Sequence, residues 1–226
     1  KQKVVHVITN FAGVGGAEMM LYRLIQQTQH ECEHIIISLM KTSEVYADAL
    51  AMCSSHYALG WNGLNSIPVL AQLRNLLESL APETVQCWMY HANALTSLAT
   101  LKMKNKPQVF WGIHHSLASP KDESISTKVA LAFSKLLAEK PEGIIYCAHS
   151  SLEQHEKFGF KNINRVEYVG INLDTLQTLV DNQIITDTVD FNTLVENRII
   201  SKNSLVKILG RGELKSKLKV TAHKFT

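Results

Sequence analysis

The sequence predicts an α/β domain in which helices cover both faces of a parallel sheet. Between residues 4 and 170, short apolar runs rich in β-branched residues alternate with longer stretches of helical period. The runs are continuously apolar, as is typical of strands covered on both faces. The repeated strand–helix order favours crossover connections between parallel neighbours. The predicted architecture is a Rossmann-like, doubly wound parallel sheet.

Each predicted element follows from its local pattern. The strands are apolar runs bounded by polar turns, at residues 4–9, 34–39, 85–89, 108–113, 143–148 and 165–170. The helices carry an apolar stripe of period 3.6, at residues 17–28, 66–80, 93–104, 127–140 and 150–158. Pro68 falls in a first helical turn, where proline is tolerated. Ligands of such folds bind at the carboxyl ends of the strands, so the residues just after each strand are the functional candidates.

The alternating pattern ends after Leu173, and a short α+β tail is predicted beyond it. Residues 193–200 are compatible with a short helix, and residues 204–209 and 217–225 with strands. The charge also changes, because eight basic residues stand against one acid from Arg198 onward. This asymmetry indicates a polyanion as a possible partner of the tail.

Several classes of protein are disfavoured by composition. The sequence contains no apolar run of the ~20 residues that a membrane-spanning helix needs. Its four cysteines are widely separated and form no C-x-x-C pair, which argues against a zinc site or a disulfide framework. We therefore expect no transmembrane segment, no bound metal and a reducing, cytoplasmic location.

A glycine-rich turn separates the first strand from the first helix. Gly13, Gly15 and Gly16 lie in this turn, where backbone amides and a helix N-terminus favour a phosphate. No Lys-Ser or Lys-Thr follows, which excludes a P-loop. A dinucleotide fingerprint fails as well, because Glu18 stands where its third glycine belongs and no acid ends the second strand. A phosphate-binding loop and a tight turn without ligand both remain open.

Four segments, in order, resemble the amino-terminal domain of glycosyltransferase family 4, which has the GT-B fold. They are "GVGGAE" in the glycine turn, "WMYHANALTSLATL" (88–101), "VFWGIHHSL" (109–117) and the segment 148–176. The resemblance covers residues 3–176 and implies a GT-B amino-terminal, Rossmann-like domain. It departs from the family at "VGIN" (169–172), where the family has Asn-Gly.

The resemblance implies that a nucleotide-sugar donor binds at the glycine turn. The amides of Gly15 and Gly16 would contact its diphosphate, and Glu18 would contact the donor as well. His114, directly after the fourth strand, would be the catalytic residue beside the transferring sugar, with His115 competing for that role. The reaction of the family retains the anomeric configuration and needs no metal or other cofactor.

The acceptor side is implied to lie along the third strand. His91 and Asn93 would line it, and the acceptor would be a cell-surface glycan or lipid. This function implies possible peripheral contact with the inner face of the membrane. The remaining histidines, such as His30, His56 and His155, are predicted to lie on the surface.

The tail has a different resemblance. Residues 189–226, especially "LVKILGRGELKSKLKVTAHKF", resemble the carboxyl-terminal part of bacterial large-subunit ribosomal protein fifteen. This implies possible RNA contact through residues 198–226. The predicted domains are therefore 1–176, a junction at 177–188, and the tail at 189–226.

A GT-B enzyme holds its nucleotide mainly in a second domain with a pair of acidic residues. No such pair occurs in the 50 residues after Leu176. We expect a truncated transferase fused to a foreign tail, which would need a partner to supply the donor domain. The alternative is a ribosomal-protein-like fragment that binds RNA.

Overall fold

The fold is built on a sheet of nine parallel strands. The structure is a computed structural model that describes residues 1–117, 121, 123–162, 164–197, 199–200, 204–209, 213–220 and 224–225. The strands of this sheet are β1 (Gln2–Ile8), β2 (Cys32–Ser38), β3 (Ser55–Ala58), β4 (Thr84–Trp88), β5 (Gln108–Ile113), β6 (Gly143–Tyr146), β7 (Arg165–Asn172), β9 (Ser204–Leu209) and β11 (Lys224–Phe225). Two further strands, β8 (Thr188–Val189) and β10 (Lys219–Val220), pair with each other in a small second sheet.

The strand order places a crevice beside β1. The order is β11-β9-β7-β6-β5-β4-β1-β2-β3. From β1 the chain moves outward to β2 and β3, returns to β4 on the other side of β1, and then continues away. The connections after β1 and β4 therefore leave in opposite directions. A doubly wound sheet binds its ligands at such a switch point, outside the carboxyl ends of the strands.

Eight helices connect these strands within the described residues. They are α1 (Gly16–Thr28), α2 (Ala47–Met52), α3 (Ser66–Leu80), α4 (Tyr90–Thr100), α5 (Ile125–Leu137), α6 (His149–Phe158), α7 (Leu173–Asp181) and α8 (Phe191–Glu196). Local chemistry explains several ends. Ser124 caps α5 by accepting a hydrogen bond from the Thr127 amide, and Gly159 ends α6 with a φ of 109°.

The two faces of the sheet carry separate cores because successive side chains of a strand point to opposite sides. Val5 and Val7 of β1 pack in the larger core beneath α3 to α6. Ile8 packs in the smaller core beneath α1 and α2, together with Phe11 and Trp88. The doubly wound α/β architecture predicted from the alternating pattern is therefore confirmed.

The tail continues the sheet instead of forming a separate short unit. The sequence pattern gave no element directly after Leu173, but α7 begins there and leads through α8 to β9, which pairs with β7. A third core forms around these elements, with Leu176, Val189 and Leu194 fully buried. Leu173, Leu176 and Leu179 recur at three-residue intervals in α7, and tertiary packing brings this stripe together with apolar residues that are distant in sequence.

The element boundaries differ from the predictions in identifiable places. The segment containing α2 and β3 was not predicted, because both are short and β3 alternates between half-buried and exposed residues. Helix α4 begins at Tyr90 rather than at residue 93. The strand predicted at 217–225 is two short strands in different sheets, and residues 221–223 lie outside the described part of the chain.

Candidate functional site

The glycine turn lies at the carboxyl end of β1, at the edge of the crevice. Gly15 is the N-cap of α1, in extended backbone and with no side-chain cap among the described residues. A Cβ added to Gly16 would meet no described atom within 4 Å, so the space beside this residue is open. The first amides of a helix have no partner within the helix. This part of the turn is therefore accessible to an anion.

Glu18 covers the other part of the turn. A Cβ added to Gly15 would touch the Glu18 carboxylate, so this side chain folds back over the helix N-terminus. The positive end of the helix dipole favours that position. The Tyr46 hydroxyl contacts the turn by donating a hydrogen bond of 2.8 Å to the Gly13 carbonyl oxygen. Burial, and then the charge of Glu18, raise the pKa of the Tyr46 phenol. An anion could reach Gly15 only if Glu18 swings away.

His114 follows β5 and lies on the α1 side of the sheet. Its ring stacks on Trp88, with the centroids 5.0 Å apart and the planes at 17°. Gly112 makes room for it, because a Cβ there would lie 3.2 Å from His114 Nε2. Burial lowers the pKa of His114 to about 4. The ring is therefore neutral at neutral pH and can exchange hydrogen bonds with a hydroxyl group without carrying charge.

His115 points to the opposite side of the sheet. Its Nε2 donates a hydrogen bond of 2.6 Å to Glu123 Oε1, and its ring meets the Tyr90 ring edge-on. Its carbonyl accepts a hydrogen bond of 2.7 Å from Ser151. The alternation of side chains along an extended segment thus separates two histidines that are adjacent in sequence. The two rings lie on opposite sides of the sheet, and the choice between them for the catalytic role stays a prediction.

His91 and Asn93, expected to line the same cleft, have different environments. His91 Nε2 lies 2.9 Å from Ser126 Oγ, and its ring is 5.0 Å from that of Trp61. Burial lowers the pKa of His91. Asn93 is fully buried on the inner side of α4, and neither side-chain polar atom has a partner among the described residues. Asn93 is thus buried in its helix, and its assignment to the acceptor side of the cleft stays a prediction.

His155 was predicted to lie on the surface, and this is wrong. It is fully buried in α6. Its Nδ1 donates to the Ser151 carbonyl at 2.6 Å, so Nε2 accepts the 2.6 Å hydrogen bond from the Tyr90 hydroxyl. The sequence did contain a signal for this burial. His155 comes four residues after Ser151 and so lies on the same face of the helix, next to the buried Leu152.

Two further features mark the crevice, and sequence reasoning missed both. Met89, between β4 and α4, has a φ of 74°, which is strained for a residue with a side chain. At the end of β1, Thr9 Oγ1 and Asn10 Oδ1 are buried without a partner among the described residues. Strain and unpartnered polar atoms concentrate where a structure is arranged for a ligand. Both features flank the switch point between β1 and β4.

Two features are absent from the described part of the chain. It contains no group of three or more His, Cys, Asp and Glu side chains that could hold a metal ion. Its helices include none with the length and apolar character needed to cross a bilayer.

The fold is an α/β domain with a parallel, doubly wound sheet and a crevice at its switch point. The model of the family described as Glycosyltransferase Family 4 matches residues 14–175, which are most of the chain. The chain belongs to this family.

Solved structures support the same fold. The Anabaena protein HepE in complex with UDP superposes with a TM-score of 0.57 at 11% identity, over 92% of this chain and 60% of that one. The lipopolysaccharide outer core galactosyltransferase WaaB in its apo form superposes with a TM-score of 0.54 at 12% identity. The match covers 100% of this chain and 68% of that one. Sucrose-phosphate synthase from Thermosynechococcus elongatus superposes with a TM-score of 0.55 at 10% identity. The match covers 94% of this chain and 63% of that one.

The tail matches a second family over residues 170–226, a family of ribosomal proteins that includes 50S-L15 and 50S-L18e. Large ribosomal subunit protein uL15 of Flavobacterium johnsoniae is 74% identical over 70 residues, which are 31% of this chain and 47% of that protein. The uL15 protein of Bacteroides thetaiotaomicron is 56% identical over the same length. The chain thus spans about half the length of the curated relatives it matches.

The two family matches overlap. Residues 170–175 belong to both, and this range lies within β7 and α7. Because residue 226 is the last of the sequence, a match of 70 residues extends upstream of residue 170. The ribosomal similarity therefore reaches into the segment 148–176, whose "VGIN" departs from the glycosyltransferase pattern. The domain boundaries placed at 176 and 189 stay a prediction.

Proposed function

We propose that this chain provides the amino-terminal half of a retaining sugar transferase. A nucleotide-sugar donor would place its diphosphate at the N-terminus of α1, and a glycan or lipid acceptor would approach from the side of His91. No metal or cofactor is needed in this proposal. HepE, solved with UDP, supports a nucleotide donor as an inference from a shared fold.

One observation carries the proposal. The open first turn of α1 and the neutral ring of His114 lie at the same carboxyl edge of the sheet, on the same face. Trp88, on the strand between β1 and β5, packs beneath α1 and against His114, and so connects the two. An anion at the helix N-terminus would leave the attached sugar beside an uncharged hydrogen-bonding ring.

Titration calorimetry with UDP and UDP-glucose tests the donor site. We expect binding that the substitution Gly16→Ala weakens about tenfold, because the new Cβ occupies the open space where the diphosphate would approach. The fold should tolerate it, since that Cβ meets no described atom within 4 Å. Leu101→Ala, at the far end of α4, is the matched control. Absence of heat with either nucleotide, or equal affinity of both variants, would contradict the proposed site.

RNA binding by the tail is the second candidate. Residues 213–219 alternate, with Leu214 and Leu218 packed inward and Lys215, Lys217 and Lys219 exposed. These three lysines stand at every second position and are exposed together, which makes them candidates for contacts with phosphates. Arg198, Lys202 and Arg211 lie outside the described residues.

A salt series distinguishes this candidate from the donor site. Binding to a ribosomal RNA fragment should weaken steeply between low and physiological salt, and replacement of the three lysines by glutamine should flatten that slope. Affinity that is independent of salt, or unchanged in the triple variant, would contradict RNA binding through this segment.

A further inference from the structure

The inner face of α4 is unusually polar for a helix that packs in a core. The helix lies on strands β1, β4 and β5, on the side of the larger core. Four polar side chains of this face are exposed to solvent by 3% or less: Asn93, Thr96, Ser97 and Thr100. Side chains buried so deeply need hydrogen-bond partners, because a buried donor or acceptor without one destabilises the fold.

The protein itself supplies partners at the end of this face that is far from the crevice. Ser97 Oγ accepts a hydrogen bond of 3.0 Å from Trp111 Nε1 of β5. Thr100 Oγ1 donates a hydrogen bond of 2.9 Å to the Thr96 carbonyl, one turn earlier in the same helix. These two hydroxyl groups therefore need no further ligand.

The end of the face that is nearest the crevice is different. Asn93 Oδ1, Asn93 Nδ2 and Thr96 Oγ1 are all shielded from solvent, and none has a hydrogen-bond partner among the described residues. Asn93 and Thr96 are three residues apart, so their side chains are neighbours on the helix. A carboxamide with two N–H donors and an acceptor oxygen thus lies next to a hydroxyl group that also needs a partner.

The strand beneath this position adds no charge. The Thr96 side chain approaches the Cys87 thiol of β4, but a thiol is too weak a partner to satisfy the hydroxyl group. Burial raises the pKa of Cys87 to about 12, against a smaller lowering by the contact with Thr96, so the thiol is neutral. A charged ligand would lose its hydration here without gaining a counter-charge. The position therefore suits a small neutral molecule that both donates and accepts hydrogen bonds.

We propose that Asn93 and Thr96 bind an ordered water molecule beneath the first two turns of α4. The water would accept a hydrogen bond from Asn93 Nδ2 and donate one to Thr96 Oγ1, within the two to four bonds that buried waters make. The Asn93 backbone amide donates a hydrogen bond of 2.9 Å to the carbonyl of Met89, the residue of positive φ at the crevice. The water would therefore fix the residue that closes the first turn of α4 beside the switch point.

A high-resolution crystal structure of the full chain tests the site directly. We expect one ordered water within about 3 Å of polar atoms of both side chains. The variant Asn93→Leu has a similar volume and no polar side-chain atom, so it should lose this water. It should also lower the midpoint of thermal unfolding by about 3–10 °C, because the Thr96 hydroxyl group then stays buried without a partner.

The variant Thr100→Val is the matched control, because it removes a buried hydroxyl group of the same helix face that already has a partner in the helix. It should keep the water and lower the midpoint less than Asn93→Leu does. The proposal is overturned if the unchanged chain shows no water between Asn93 and Thr96. It is also overturned if Asn93→Leu unfolds at the same temperature as the unchanged chain or at a higher one. The carboxamide would then be an unsatisfied group whose removal relieves the fold.

Discussion

Acidification should destabilise the protein through His6, which is fully buried beneath α1. Trp88 Nε1 donates to His6 Nδ1 at 3.4 Å, which leaves His6 Nε2 to donate to His34 Nδ1 at 3.0 Å. His34 Nε2 then donates to Thr28 Oγ1 at 2.9 Å, and that hydroxyl donates to the Leu24 carbonyl. In this series of hydrogen bonds, both ring nitrogens of His6 and both ring nitrogens of His34 already have partners. An added proton on His6 Nδ1 would face the Trp88 N–H.

The size of the effect follows from the pKa of His6. Burial, and then His34, lower it from 6.5 to about 3. Between pH 6.5 and pH 3, His6 is therefore protonated in the unfolded chain and neutral in the folded chain. The contribution to stability is complete above pH 6.5 and is lost as the pH falls from 6.5 towards 3. Between pH 7.5 and pH 5, we expect His6 to reduce the free energy of unfolding by about 2 kcal/mol.

Urea unfolding across a pH series, followed by circular dichroism, measures this loss. Other buried histidines with lowered pKa values add to the total, so the informative quantity is a difference between variants. His6→Asn should lower the slope of stability against pH by up to about 1.4 kcal/mol per pH unit below pH 6.5. Parallel pH profiles for His6→Asn and the unchanged chain would refute the reasoning.

Two substitutions test packing elsewhere. Gly112→Ala places a Cβ 3.0 Å from the Cys87 carbonyl and 3.2 Å from His114 Nε2. It should cost about 1–3 kcal/mol in urea unfolding and alter the near-ultraviolet spectrum of Trp88, and an unaltered spectrum would contradict the stacking. Leu176→Ala, in the third core, should cost about 2–5 kcal/mol. Hydrogen exchange should accelerate mainly in α7, α8 and β9; uniform acceleration from β1 onward would mean that the tail has no core of its own.

The sequence was most informative where one local signal determines one element. The predicted helix at 66–80 agrees with α3 at both ends, because its apolar stripe and Pro68 define it locally. The glycine turn was also located from sequence, since its three glycines stand between a strand pattern and a helix pattern. The conformation of Glu18 over that turn could not be predicted, because it depends on one side-chain rotamer.

The tail and the buried histidines were least predictable. Strand β9 was predicted at residues 204–209, but helix α7 was missed, and its packing with β9 in the third core depends on residues that are distant in sequence. His155 is of a residue type common at surfaces, and it is buried because the Tyr90 hydroxyl of a distant helix donates a hydrogen bond to it. Burial of a polar residue depends on a partner that sequence spacing does not reveal.

The sequence by itself determined the α/β class, the family and the position of the glycine turn, because period, turn chemistry and motif order are local properties. Tertiary structure decided the rest. It separated His114 from His115 onto opposite faces and buried Asn93 and His155. Each of these outcomes depends on which distant strand or helix lies alongside, and that is settled only when the sheet order is formed.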